Sequence, residues 1–313
     1  MAAIGSRIRN RLTSFSNTVF DSLSVISSYD LTPKFWYFFI IAFFFVLVLL
    51  PTTYVIIFLM DQFPSTVVYL TSNPEVISQI QEAIINSTLV SIIVSIIDLL
   101  FGIPLAWLVV RGKFRYKNFL NTLIELPLAV PTAGLGLSVA MFWGVTPSIQ
   151  DTPFSLGFIK DIIPILVLFH FTTTFPYVVR SLAAILEEID VTLEIAAQTC
   201  GASKLTAART ITLPLFRSGV ATALVLSIAK SLSDTGGIVA VLTAIGSSAL
   251  TGTRLIDIWK KGYDENPALE PALALLSVVM IIVAIILMSI SRLLAKKIKM
   301  PTRKVWPSIE RSL

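Results

Sequence analysis

One cysteine, one histidine and a charged fraction of only 14% are what this 313-residue sequence has least of. The lone Cys200 excludes an internal disulfide framework and any multi-cysteine metal site, and the lone His170 excludes chemistry built on a histidine cluster. Soluble domains carry about 25% charged residues. A chain that is 14% charged and 55% hydrophobic, with mean hydropathy +0.84, belongs to the membrane class. No secretory peptide is evident: the first apolar run begins near Phe35, is too long for an h-region and has no small-x-small cleavage site after it, so it reads as a retained span. A phosphate-cradling loop is also missing. It needs G-x-x-x-x-G-K-[ST], but the only Gly-Lys is Gly112-Lys113, followed by Phe114, with Trp107 where the first glycine belongs. This chain is therefore expected to be no ATPase by itself, to bind no cofactor or metal, and to have no nucleic-acid partner.

What is present in abundance is apolar sequence. A bilayer core takes about 20 apolar residues in a helix, and six segments qualify: 35–60, 84–110, 119–145, 162–182, 215–245 and 272–294. The fifth is too long for one span, and Gly236-Gly237 is expected to break it. The spacing predicts an all-α membrane protein of about six transmembrane helices: an arm at 1–34, a membrane domain at 35–295 and a basic tail at 296–313. The arm is either an amphipathic surface helix or a disordered segment. Lysine and arginine set the orientation. Four lie in the arm (Arg7, Arg9, Arg11, Lys34), four after the second span (Arg111, Lys113, Arg115, Lys117), four around residues 180–217 (Arg180, Lys204, Arg209, Arg217) and seven towards the C-terminus (Arg292, Lys296, Lys297, Lys299, Arg303, Lys304, Arg311), 19 of the 24 on one side. Both termini and the loop at about 187–214 are thus expected in the cytoplasm of a multi-pass plasma-membrane protein. Trp36 and Tyr37 read as an interfacial aromatic belt, and the tail AKKIKMPTRK as a contact for anionic headgroups of the lipid bilayer.

The loop reads EIAAQTCGASKLTAARTITLPLFRSG from Glu194. Asp190 or Thr192 is placed to cap a short helix through Ala196 and Ala197, which Gly201 ends by tolerating a left-handed turn. Ser203 is placed to cap a second helix carrying Leu205, Ala208 and Ile211. Leu213-Pro214 is expected to stop it, because a residue before proline is pushed out of helical geometry; Pro214 then opens the next helix. The product is a two-helix cytoplasmic elbow.

This stretch resembles the EAA loop of ABC-importer permeases: Glu-Ala-Ala, three residues, Gly, nine residues, Ile, one residue, Leu-Pro. Ala196, Ala197, Gly201, Ile211, Leu213 and Pro214 fall on that register without a gap. Ile195 holds the motif's glutamate position, and the glutamate is one residue earlier, at Glu194. The run STLVSIIVSIIDLLFGIPLAWLVVRGKFRYKNFLNTLIELPLAVPTAGLGL, then FPYVVRSLAAILEEID and IAKSLSDTGGI, is similar to molybdate/tungstate and sulfate permeases over about residues 86–245. The resemblance implies a transport subunit rather than an enzyme. It would form a path for a small oxyanion with a second permease chain, either a copy of itself or a sister. A cytoplasmic ABC ATPase dimer, using ATP and Mg, would seat on the elbow, and an extracellular binding protein would deliver substrate. Residues Glu194, Ala196, Ala197, Gly201, Ile211, Leu213 and Pro214 would couple to the ATPase.

Ionisable residues inside spans mark a pathway or a buried pair: Asp98, Glu125, His170, Lys230 and Asp234. Lys230 and Asp234 share a helix face, with Ser231, Ser233 and Thr235 beside them and Gly236 after. Two readings fit: a hydrophilic gate beside the path, or a neutralised structural pair. In the third span Pro131 breaks the helical ladder, tolerated in a membrane only where protein or a wet cavity satisfies the freed groups. With Thr132, Gly134 and Gly136 it reads either as a flexible path-lining helix or as a packed kink. Asp98 is a candidate partner for Lys230, His170 reads as a hydrogen-bonded interior histidine, and Glu125 as a group snorkelling to water. Other cargoes (phosphate, ferric ion, thiamine), an ion-coupled secondary carrier and a non-transporting scaffold compete. A carrier explains the intramembrane charges but not the elbow register; a scaffold explains the hydrophobicity alone.

Overall fold

The structure is a computed structural model describing residues 32–144, 157, 159–262, 266–267 and 269–296. The arm through residue 31, the region 145–156 and the tail from 297 lie outside the described residues, and with them most of the basic groups expected at the two termini.

The chain divides into two units, Met1–Asp61 and Gln62–Leu313. The described part of the first is a helical rod: α1 (Thr32–Phe44), a π turn (Phe45–Leu49) and α2 (Leu50–Asp61). From Phe35 on it is apolar around most of its circumference and largely exposed, Trp36 and Tyr37 included, with Leu59 buried, which suits a helix solvated by lipid.

The second unit holds the rest: α3 (Phe63–Ser72), α4 (Pro74–Arg111), α5 (Lys117–Ala129), α6 (Thr132–Trp143), α7 (Ile162–Glu188), α8 (Val191–Thr199), α9 (Lys204–Ala207), a π turn (Ala208–Thr212), α10 (Leu213–Ser233), α11 (Gly236–Ile245), α12 (Gly252–Gly262) and α13 (Leu269–Lys296). Among the described residues five helices are long and apolar enough to cross a membrane, or six if the bent pair α5 and α6 counts as one span. The second span starts ten residues earlier than the apolar run suggests, because Asn73 and Pro74 open the helix and proline is pre-organised for that position. Its 38 residues reach about 57 Å at 1.5 Å per residue.

α4 is the axis of this unit, and it touches all three apolar clusters. Val90 and Val94 pack with α6, α7 and α11 around Phe169 and Leu242. Ala106 and Val109 pack with α7 and α10 around Leu182, Leu186 and Phe216. Val76, Ile80 and Ala83 pack with α10, α12 and α13 around Trp259 and Leu276.

Three expectations need correction. The third span, read as one helix with a flexible or packed break at Pro131, is two helices, α5 and α6, that meet at 104°. Val130 is extended there (ψ 134°), as the steric restriction on a pre-proline residue requires, and Pro131 is extended after it (ψ 133°). The fifth span breaks at Asp234 and Thr235, and Gly236-Gly237 open α11 instead of forming the break. Leu213-Pro214 stops nothing: Leu213 is helical (φ −61°, ψ −42°), and one rod runs from Lys204 to Ser233. The π turn before Pro214 explains this. Leu213 N–H bonds back to Ala208 O, and the widened turn moves the preceding carbonyls away from a ring that cannot donate.

Candidate functional site

The elbow is built from two capped turns. Asp190 caps α8, its carboxylate accepting from Thr192 N–H at 2.9 Å. That backbone hydrogen bond holds the exposed Asp190 carboxyl below the ordinary carboxylate range. Gly201 ends the turn at φ +92°, with nothing within 4 Å of where a Cβ would stand, so conformation and not space demands glycine. Ser203 caps α9 by accepting from Thr206 N–H at 3.1 Å.

The inward face of the rod after the elbow is Ala207, Thr212, Phe216, Gly219 and Ala223, all buried. Its first step is five residues and the rest are three or four; the five-residue step is the π turn. Without that extra residue Thr212 would not point inward, and Thr212 Oγ1 donates to Glu194 Oε1 at 2.7 Å. Glu194 also lies 3.5 Å from Arg111 Nε at the end of α4, and Arg111 Nη2 donates to Ile189 O at 2.6 Å. Glu194 therefore faces into the protein and ties the elbow to α4. Ile195, one residue on, is 56% exposed. Ala196 is exposed, Ala197, Ile211 and Pro214 are partly buried, and Leu213 is exposed. Val191, Leu193 and Leu205 complete an uncovered apolar face. In the sequence Arg111 stands out only as one of the orienting charges. Its position at the last residue before Gly112 was the available signal, since a cation at a helix C-terminus suits the helix dipole.

The residues flagged within the spans divide into two groups. Around the helix breaks, Lys230 Nζ is 3.7 Å from Asp234 Oδ2 and 5.7 Å from the centre of the Tyr177 ring. Asp234 is buried, and its Oδ1 accepts from Gly237 N–H at 3.2 Å, capping α11. Gly136 of α6 packs directly on the Gly237 backbone, where a Cβ on Gly136 would collide, while a Cβ on Gly237 would run into the Phe169 ring and Thr132 O. Thr132 is beside Gly236, so α6 and α11 begin next to one another. Pro131, Gly134, Ser233, Thr235 and Gly236 are exposed, Thr132 is partly buried and Ser231 is buried. A strip of small and hydroxyl groups is left open beside one half-buried lysine.

The other residues are placed differently from expectation. Asp98 does not pair with Lys230: its Oδ2 lies in hydrogen-bond contact with the Thr174 and Ser227 hydroxyls, while Lys230 turns to Asp234. His170 is buried, but its Nδ1 has no hydrogen-bond partner. Glu125 pairs with Arg180 of α7 instead of reaching out alone.

A family model described as binding-protein-dependent transport system inner membrane component matches residues 98–300, from Asp98 through both halves of the elbow and beyond the last span. The chain belongs to this family. As an inner membrane component it is a multi-pass transport subunit. It is similar to the molybdenum transport system permease protein ModB of Haemophilus influenzae, 32% identical over 224 residues, which are 69% of this chain and 95% of that one. The molybdate/tungstate transport system permease protein WtpB of Methanocaldococcus jannaschii is 27% identical over 193 residues, 60% of this chain and 75% of that one. The sulfate transport system permease protein CysT of Salmonella typhimurium is 29% identical over 224 residues, 71% and 78% of the two chains. Among solved structures, a bacterial ABC transporter involved in the import of alginate shares the fold, with TM-score 0.62 and 17% identity over 93% of this chain and all of that one. A structure of a bacterial alginate ABC transporter in complex with an alginate pentasaccharide-bound periplasmic protein also shares the fold, with TM-score 0.62 and 17% identity over 85% of this chain and 96% of that one.

Proposed function

We propose that this chain is the permease of an ATP-driven importer for a small tetrahedral oxyanion of the molybdate, tungstate or sulfate kind. The observation that carries the reading is the elbow: a two-turn segment on the family register, tied from within by Glu194, Thr212 and Arg111, with its outer apolar face uncovered. The names of the relatives support the cargo. In this reading the face made by Ala196, Ala197, Ile211, Leu213 and Pro214 around Gly201 meets a cytoplasmic ABC ATPase dimer. That dimer binds ATP and Mg; this chain binds neither. Both termini lie in the cytoplasm. A second permease chain completes the path, and an extracellular binding protein loads it. The open strip of Pro131, Thr132, Gly134, Ser233, Thr235 and Gly236, with Lys230, Ser231 and Asp234 behind it, lines or gates that path.

The test is uptake into proteoliposomes holding this chain, its ATPase and its binding protein. Molybdate, tungstate or sulfate accumulates only when ATP, ATPase and binding protein are all present. Uptake that follows a proton or sodium gradient without the ATPase makes the chain a secondary carrier instead.

A further inference from the structure

Asp98 sits on α4 with none of its surface exposed. Two helices close on it. Thr174 Oγ1 of α7 and Ser227 Oγ of α10 both lie 2.6 Å from its Oδ2, and Ser95 Oγ, one turn back on α4, is 3.0 Å from Ser227 Oγ. Its Oδ1 has no hydrogen-bond partner.

No cation answers this carboxyl. The other charged or titratable groups on the packed helices are Glu75, Glu82 and Arg111 of α4, His170, Tyr177, Arg180, Glu187 and Glu188 of α7, and Arg217 and Lys230 of α10, with Asp234 just after it; Arg217 is exposed, ten residues before Ser227. Arg111 is taken by Glu194, Arg180 by Glu125 and Lys230 by Asp234, and His170 is a turn away, with its carbonyl accepting from Thr174. No ion pair among the described residues includes Asp98. Burial of an unpaired carboxylate in such an interior is strongly penalised.

The hydrogens are also too few for an ionised group. Thr174 Oγ1 has one proton, yet it lies 2.8 Å from His170 O and 2.6 Å from Asp98 Oδ2. Both oxygens are acceptors when Asp98 is ionised, so one of these short contacts is left without a hydrogen. A proton on Asp98 Oδ2 supplies it: Asp98 then donates to Thr174, and Thr174 donates to His170 O.

We propose that Asp98 is a proton-binding site, occupied at neutral pH, that latches α4 to the two rods flanking the elbow. α7 runs into the elbow and α10 runs out of it. Arg111 ties α4 to the elbow itself; Asp98, 13 residues before it, ties α4 to both rods about 20 Å further along, at 1.5 Å per residue. The proton passes from water to the carboxylate when the three helices part, and is held when they close. This holds for whichever anion is carried.

Infrared spectroscopy of the full chain in lipid nanodiscs tests it. At neutral pH the wild type is expected to show the carbonyl stretch of a neutral carboxylic acid, sensitive to deuterium exchange, absent from Asp98→Asn and unchanged between potassium and sodium buffers. Absence of that band from the wild type, or its persistence in Asp98→Asn, overturns the proposal. A thermal unfolding temperature that rises with sodium in the wild type but not in Asp98→Asn, with no acid band, gives the site to a metal ion and also overturns it. Should Asp98→Asn fail to fold, Ser227→Ala decides: it removes one partner of the carboxyl, so the band is expected to move, and a band that stays in place contradicts the assignment.

Discussion

Arg111 and Glu194 close a bridge between the end of the longest helix and the first turn of the elbow, with Nε 3.5 Å from Oε1 and Thr212 holding the same carboxylate oxygen from the other side. The elbow is therefore tied to α4 on its inner side, while its outer apolar face is uncovered.

Breaking the bridge should loosen the hinge without unfolding the protein. Hydrogen bonds to charged groups contribute about 1.5–3 kcal/mol. Arg111→Ala is expected to raise amide exchange in Val191–Thr199 by about tenfold or more, since about 1.4 kcal/mol is a factor of ten, while exchange in α13 is unchanged. Equal exchange in the elbow of variant and wild type contradicts the bridge.

Gly201 should be sensitive to conformation, not size. Its φ of +92° lies where side chains are disfavoured, and the space around it is open. Asparagine visits such conformations more readily than β-branched residues. Gly201→Asn is expected to keep most of the uptake rate and Gly201→Val to lose most of it. The reverse order, read in the same assay, counts against the turn.

Gly134 and Gly136 should part company. A Cβ on Gly134 finds its nearest neighbour at 3.9 Å, whereas on Gly136 it meets the Gly237 backbone, which has no side chain to swing aside. Overpacking costs about 1–3 kcal/mol. Gly134→Ala is expected to melt with the wild type and Gly136→Ala several degrees below it; matching melts for the two would deny the close contact of α6 and α11.

The pair Lys230 and Asp234 separates its two sequence-level readings by a double-mutant cycle. Lys230→Met leaves Asp234 buried without its cation, destabilising by about 3 kcal/mol. Lys230→Met with Asp234→Asn recovers the stability in either case. If the pair lines the path, oxyanion uptake stays low in the stable double variant; if the pair is only structural, uptake returns with the fold.

Asp190 gives the elbow a pH signature. Its native carboxyl titrates below the ordinary range, so its contribution is complete above the unfolded value of about 3.9 and is lost as pH falls through the lower native value. Protection of the first turn of α8 is expected to be flat from neutral pH down to about 4 and to fall below that. Asp190→Ala should show the loss already at neutral pH, and Asp190→Asn should not, because its amide oxygen still caps.

Much of this was legible in the residues. The apolar runs marked the spans because a bilayer demands length and hydropathy, and both are local. Gly201, Asp190 and Ser203 were legible because a turn and two caps are settled within four residues. The direction of Glu194 was not: it depends on Arg111 and Thr212, and Thr212 points inward only through a π turn that no residue type announces. The 104° bend has a visible cause in Pro131, but its angle is set by packing of Gly136 on Gly237. Asp98 was flagged and then given the wrong partner, because Thr174 and Ser227 are 76 and 129 residues away. Two charges on different spans are not neighbours merely because their signs are opposite.

The sole cysteine of the chain, Cys200, is exposed at the tip of the elbow, next to Gly201. A maleimide cross-linker attached there, in membranes containing the assembled transporter, is expected to trap the nucleotide-hydrolysing subunit, and a membrane-impermeant maleimide is expected to reach it only from the cytoplasmic side. Cross-links that find no such subunit, or labelling of Cys200 in intact cells, would contradict the assignment of the elbow as the point where the motor grips.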